Sequence, residues 1–261
     1  MHTIRTYSLL TMSLLIGGLT SASPASAEDW NWSVVPYVWA TDISIDLFVS
    51  DDPVVGADVS FSDLMDKKDS AMQLHFEGQR GRGGFFVDVT YLALSSAQAT
   101  GARPPLPGGT QIETDLDTAL AEAGGFYRLS GDTHGLDLIF GARMLDLDLS
   151  VSFSLPPPLI GTQRLSGGDT LTDGFAGLRY STSFAERWEF MARGDLGAGD
   201  SDLAWNASVY FGYAVGKEPQ NLILFGYRHL QFELKESSAG GQRAETDLTF
   251  SGPALGFAFR F

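Results

Sequence analysis

Along residues 254–261 the side chains alternate without a break, with Leu255, Phe257, Phe259 and Phe261 on one parity and Ala254, Gly256, Ala258 and Arg260 on the other. Successive side chains of a β-strand point to opposite faces, so this segment has one greasy aromatic face and one small or charged face. In a soluble sandwich the greasy face is the core. Here the other face is crowded with glycine and alanine and the segment ends on an aromatic, which fits a lipid-facing exterior around a tight lumen. The same period returns upstream: Met72, Leu74 and Phe76 alternate with Gln73, His75 and Glu77, and Leu136, Leu138, Phe140 and Ala142 alternate with Asp137, Ile139, Gly141 and Arg143. Leu203, Trp205, Ala207, Val209, Phe211 and Tyr213 oppose Ala204, Asn206, Ser208, Tyr210, Gly212 and Ala214.

This pattern predicts strands at 30–47, 69–80, 84–97, 111–129, 135–155, 169–182, 187–198, 201–215, 221–236 and 244–261. The expected fold is all-β, a closed antiparallel up-and-down transmembrane β-barrel of ten strands, with eight or twelve as the neighbouring counts. Connections at 81–83, 130–134, 184–187 and 216–220 are short, while those at 48–68, 98–110, 156–168 and 237–243 are longer. Short turns at one end and long loops at the other are the rhythm of a bacterial membrane barrel, broken only by the short connection near Gly199. Several strands exceed the roughly 9–11 residues a bilayer needs, so their outer ends are expected to project above it. Residues 114–124 are rich in helix formers but keep period two at Ala119, Ala121 and Ala123, and are read as strand. A short helix capped by Ser62 is expected at 62–67 in the first long loop. Pro36 and Pro253 remove ladder donors and imply bulges or strand ends.

Trp30, Trp32, Tyr37, Trp39, Tyr127, Tyr180, Trp188, Tyr213, Tyr227 and Phe261 gather toward strand ends, where an aromatic belt places them. Before the first strand, Arg5 is followed by the apolar run 8–20, small residues and Ala25-Ser26-Ala27, the pattern of a cleaved secretory signal. The expected organisation is a signal peptide at 1–27 and one barrel domain at 28–261. No later segment offers the roughly 18 consecutive apolar residues of a membrane helix. Lipid tolerates only helices and closed barrels, so a membrane chain of this kind must be a barrel.

The chain has no cysteine, which excludes thiol catalysis and disulfides. With 17 basic and 32 acidic residues, a net charge of −15, it repels nucleic acid.

The segment WSVVPYVWATDISIDL, followed by VSFSDLMDKKDSAMQLHFEGQRGRGGFFVDVTYLALS, resembles a group of uncharacterised proteobacterial, porin-like outer-membrane β-barrel proteins. The resemblance implies the Gram-negative outer membrane, reached through a Sec signal peptide, and no catalytic residues. Gly256, Phe259 and Phe261 also match the spacing of the C-terminal signal by which such barrels are recognised for assembly, although Ala254 stands where that signal carries a polar residue. Implied partners are the barrel-assembly machinery, outer-membrane lipid and lipopolysaccharide.

The alternation assigns to the lumen His75, Glu77, Asp88, Glu122, Arg128, Arg143, Arg179, Glu189, Arg193, Asp195, Arg228 and Arg260. About eight strands are just filled by side chains, so ten leave little room, and charges of both signs there imply a paired network that closes the barrel. The competing expectation is a narrow path for ions or small solutes lined by the same groups. Asp51, Asp52, Asp58, Asp63, Asp66 and Asp69 crowd the first long loop, a solvated acidic surface where divalent cations could gather, but no Ca²⁺-loop motif is present and no metal or cofactor is expected. Some ten-stranded barrels are proteases that use Asp and His at the outer rim. The best such pair here is His229 with Asp247, joined by Glu233, and no spacing establishes a base beside an orienting partner. Ser208 lacks a G-x-S-x-G context. The expectation is therefore a non-enzymatic barrel with a structural, surface-interacting or weakly pore-forming role.

Overall fold

A computed structural model describes residues 29–49, 52–59, 70–99, 111–131, 134–155, 161–216, 221–237 and 243–261. The strands are β1 (Asn31–Trp39), β2 (Asp42–Val49), β3 (Asp52–Val59), β4 (Ser70–Arg80), β5 (Gly83–Ala99), β6 (Gln111–Ser130), β7 (Gly135–Leu155), β8 (Gly161–Ala185), β9 (Trp188–Gly199), β10 (Leu203–Val215), β11 (Asn221–Ser237) and β12 (Arg243–Arg260), and there is no helix among the described residues. Ten of them form the wall, in the order β1-β4-β5-β6-β7-β8-β9-β10-β11-β12, and β1 pairs with β12 to close it. Every neighbouring pair is antiparallel. Closure gives each of these ten strands a partner on both sides, the condition lipid imposes on a sheet.

Of the other two strands, β2 extends the first stave and β3 lies beside β2 on the side away from β12. β1 pairs with the end of β12, Ser33 opposite Arg260 and Trp39 opposite Ala254, and β2 continues along the same partner with Asp42 opposite Ser251. The single strand expected at 30–47 is thus broken at residues 40–41. The break fits tightly: a Cβ on Gly252 would lie 1.9 Å from the Ala40 carbonyl oxygen, so only glycine admits this approach. Both prolines stand on this seam, Pro253 accepting from the Ala40 N–H at 2.9 Å and Pro36 where the β1–β12 register is interrupted. The loop expected at 48–68 contains β3, which pairs with β2, and the helix expected at 62–67 lies outside the described residues. β8 begins at Gly161, eight residues before the expected start, so much of the predicted loop 156–168 is strand. Residues 114–124 are strand within β6.

The start of β1, the C-terminal Phe261 and the turns at 81–82, 131–134, 186–187 and 216–220 lie at one end, here the turn end; the long connections and the short β9–β10 connection lie at the other, the loop end. Gly81, in the tight β4–β5 turn, has φ 57°, a left-handed conformation that favours glycine. Outward positions in the turn half are apolar and exposed, among them Leu74, Phe140, Leu178, Leu196 and Leu255. A contiguous apolar exterior is what a soluble surface avoids and a lipid-facing one requires. Trp30 stacks on Trp32 at 5.0 Å, and Trp188 meets Tyr213 at 5.1 Å, so aromatics collar the turn end. Tyr37 and Trp39, assigned to that belt from sequence, instead point inward: Trp39 is 1% exposed and the Tyr37 hydroxyl bonds to Asp88. Their parity explains this, since Val34, Pro36 and Val38 take the outward positions of the same strand.

The loop half reverses the faces. On β7, Asp146 and Asp148 are exposed outward, while Leu145 is buried inside. Asp117 lies opposite Asp148, and Asp247 is flanked in register by Glu233 and Asp46. Inside, Trp39, Leu92, Leu120, Leu145, Phe232 and Phe250 form a buried apolar cluster across the lumen. The 21 residues of β7, at ~3.3 Å rise and ~40° tilt, reach about 50 Å along the axis, twice the ~25 Å apolar band of a membrane barrel.

Candidate functional site

The site is the lumen of the turn half, where alternation aims polar side chains inward from all ten strands of the wall. Glu122 on β6 is its centre. Arg143 Nε donates to Glu122 Oε1 at 2.7 Å, Arg228 Nη2 to the same oxygen at 2.9 Å, and Arg193 Nη1 to Oε2 at 3.0 Å. Asp195 accepts from Arg143 and Arg193, each at 2.7 Å, and from Asn206 at 2.8 Å. Arg228 also reaches Asn206 at 3.1 Å and Asp88 at 3.4 Å. These bonds join β5, β6, β7, β9, β10 and β11, so they tie the wall together across its diameter rather than along it.

A second knot sits nearer the turn end. Arg179 binds both Glu77 on β4 and Asp137 on β7, and Arg128 binds Asp137. His75 connects the knots, with Nδ1 3.1 Å from Asp88 and Nε2 3.5 Å from Glu77. Five arginines therefore meet five carboxylates. Buried charges persist only when paired and hydrogen-bonded in this way. Aromatic rings complete the shell: Arg179 lies 4.4 Å from the Phe126 centroid, Arg228 4.8 Å from Trp39, and Arg193 between Phe86 and Phe175 at 5.4 and 5.2 Å. The Arg143 Nη1 and Arg193 Nη2 atoms that lack hydrogen-bond partners belong to guanidinium groups lying on those ring faces. Closest to the mouth, Arg260 on β12 makes a bidentate pair with Glu189 on β9, both bonds 2.7 Å.

Of the twelve lumen residues expected from sequence, ten meet in these two knots, and Glu189 and Arg260 pair separately nearer the mouth. Sequence reasoning left out Asp137, Asn206 and Tyr37, although the parity that places Arg143 inward also places Asp137 there. It also left out the apolar cluster beyond Trp39, which fills the lumen on the loop side of the network. On the turn side a cavity of about 880 Å³ remains, reaching from Tyr37, Ser208 and Arg228 down to Asn31, His134 and Arg260 at the mouth.

The histidine–carboxylate pair does not form. His229 and Asp247 face outward, His229 opposite Ser251 and Asp247 opposite Glu233. That is four residues apart along β12, about 13 Å at strand rise, far beyond hydrogen-bond reach. The His229 ring stacks on Trp205 at 4.3 Å, and Asp247 accepts instead from Gln231 at 3.2 Å. Asp51, Asp63, Asp66 and Asp69 lie outside the described residues, and Asp52 and Asp58 fall in β3. Among the described residues no group of three or more carboxylates, histidines or cysteines is placed to hold a metal ion. Gly256 and Phe259 lie in the β12 segment that pairs with β1, and Phe261 closes the seam through backbone bonds with Trp32.

No family model and no curated protein matches the chain. Among solved structures it is similar to the outer membrane protease OmpT from Escherichia coli, at a TM-score of 0.54 and 10% identity over 90% of this chain and 97% of that one. Alignments with Ail, the attachment invasion locus protein of Yersinia pestis (10% identity, 89% and 99% coverage), and with a Pseudomonas aeruginosa FadL homologue (10% identity, 89% and 90% coverage) have TM-scores of only 0.31 and 0.29. At this identity the likeness to OmpT is one of fold, and the chain has the closed ten-stranded architecture of an outer-membrane-type β-barrel.

Proposed function

We propose that the protein is an integral barrel of the Gram-negative outer membrane, exported by a cleaved signal at 1–27, whose lumen is closed and whose role is structural or surface-interacting rather than enzymatic. It groups on this reading with the proteobacterial barrels that its first strands resemble. The observation that carries the reading is the double seal: the arginine–carboxylate network spans the lumen, and directly beyond it Leu92, Leu120, Leu145 and Phe232 are each at most 2% exposed. An ion crossing this path would have to break buried pairs and then pass a tightly packed, largely apolar layer, at a cost of several kcal/mol for each step. The turn end, with Phe261 and the aromatic collar, faces the periplasm, and the acidic loop half faces outward.

The test is conductance of the refolded mature barrel in a planar bilayer, with heat-modifiable gel migration as the control for folding. Heat-modifiable migration without discrete conductance is the expected result. Stable single-channel steps from a folded barrel would overturn the closed-lumen reading.

A further inference from the structure

The chamber of about 880 Å³ below the network has walls that differ in kind. One side, from β1, β11 and β12, is apolar, with Val35, Leu222, Leu224, Ala254 and Ala258, while the facing wall carries His75, Glu77, Arg128 and Arg179, whose charges are paired with one another or with Asp88 and Asp137. Its inner end is polar. There Ser208 and Tyr210, two residues apart on β10 and so on one face, line the cavity, and among the described residues neither hydroxyl has a hydrogen-bond partner. Ser208 is nevertheless 6% exposed. Both side chains open onto the cavity, so their hydroxyls are placed to bond a polar atom of a molecule that enters from the mouth.

The neighbouring charges decide what kind of molecule. Arg193 and Arg228, which flank the hydroxyls, are already committed to Glu122, Asp195 and Asp88. A charged guest would lie unpaired in a low-dielectric pocket or break that network, whereas a neutral oxygen would complete the hydroxyls without disturbing it. The volume lies in the range of small-molecule pockets with apolar walls and a few convergent polar groups. We propose that the chamber binds an uncharged amphipathic small molecule, an apolar body with a single hydroxyl or carbonyl head, taken up from the turn end with its head against Ser208 and Tyr210.

The probe is 4-pentylphenol, measured by equilibrium dialysis against the refolded full barrel in lipid nanodiscs, with empty nanodiscs subtracting partition into lipid. Saturable excess retention is expected. Ala258→Trp, which fills the chamber, should abolish it, and the conservative pair Ser208→Ala with Tyr210→Phe should weaken it several-fold. The charged analogue 4-pentylbenzoate should bind at least about tenfold more weakly. Heat-modifiable migration verifies each variant, and the conservative pair keeps the test intact if Ala258→Trp does not fold. Retention no greater than that of empty nanodiscs, retention indifferent to both variants, or equal binding of the benzoate would each overturn the proposal. Conductance plays no part in this readout, so a closed lumen and an empty chamber are distinguishable outcomes.

Discussion

The two halves of the barrel apply one rule of alternation with opposite sign. In the turn half the outward parity is greasy and the inward parity charged, as with Leu138 and Phe140 outside and Asp137 and Arg143 inside. In the loop half of the same strand the outward parity carries Asp146 and Asp148 while Leu145 goes inside. The backbone ladder runs through the change without a break, with β7 paired to β8 from Gly135 to Leu155. What reverses is the solvent. A wall facing lipid exports its apolar side chains and must satisfy polar ones within; a wall facing water does the opposite. The molecule is thus a membrane barrel that continues, on the same staves, as a soluble-type barrel with an apolar core.

This comparison predicts different failures in each half. The largest effect is expected at Glu122, whose two oxygens hold Arg143, Arg193 and Arg228. Glu122→Gln strands buried guanidinium charge and should cost about 3–5 kcal/mol, read as a lowered urea midpoint of the barrel in lipid vesicles. A similar loss, about 3–5 kcal/mol for a buried phenyl ring, is expected for Phe232→Ala in the loop half. There it comes from a cavity, so Phe232→Leu should recover most of it, and no neutral isostere should do the same for Glu122. An outward charge separates the halves next: Leu255→Arg, at a position 61% exposed in the turn half, should cost roughly 2–4 kcal/mol in lipid. Its mirror in the loop half is the smallest effect, since Asp146→Arg on the exposed face should shift stability by no more than about 0.5 kcal/mol. Comparable costs for these last two variants would remove the distinction between the halves.

Most of this architecture is written in local alternation. The strands of the wall and the parity of residues such as Glu122, Arg143 and Arg228 follow from period two alone, because a one-residue slip would carry every side chain to the wrong face. The phase reversal is visible too, in the run Met144-Leu145-Asp146-Leu147-Asp148, once two solvents are allowed for. What alternation cannot supply is the pairing across the lumen: Arg179 meets Glu77 102 residues away, a contact set by strand tilt and register stagger rather than by either neighbourhood. The inward turn of Tyr37 and Trp39 was obscured because aromatics suit both a belt and a core, and the break at residues 40–41 depends on how closely the Gly252 backbone approaches its neighbour. His229 and Asp247 share a face and adjacent strands, yet their register separates them, and register between strands is not local information.

The most direct test of the two-solvent account uses the absence of native cysteine. Single cysteines at Leu138, Phe140, Ala142, Asp146 and Asp148, all outward on β7, would be labelled with an environment-sensitive fluorophore and the barrel refolded into vesicles containing a lipid-borne quencher. Blue-shifted, quenched emission at 138, 140 and 142 and water-like, unquenched emission at 146 and 148 is the predicted result. One uniform emission along all five positions, whether lipid-like or water-like, would contradict it.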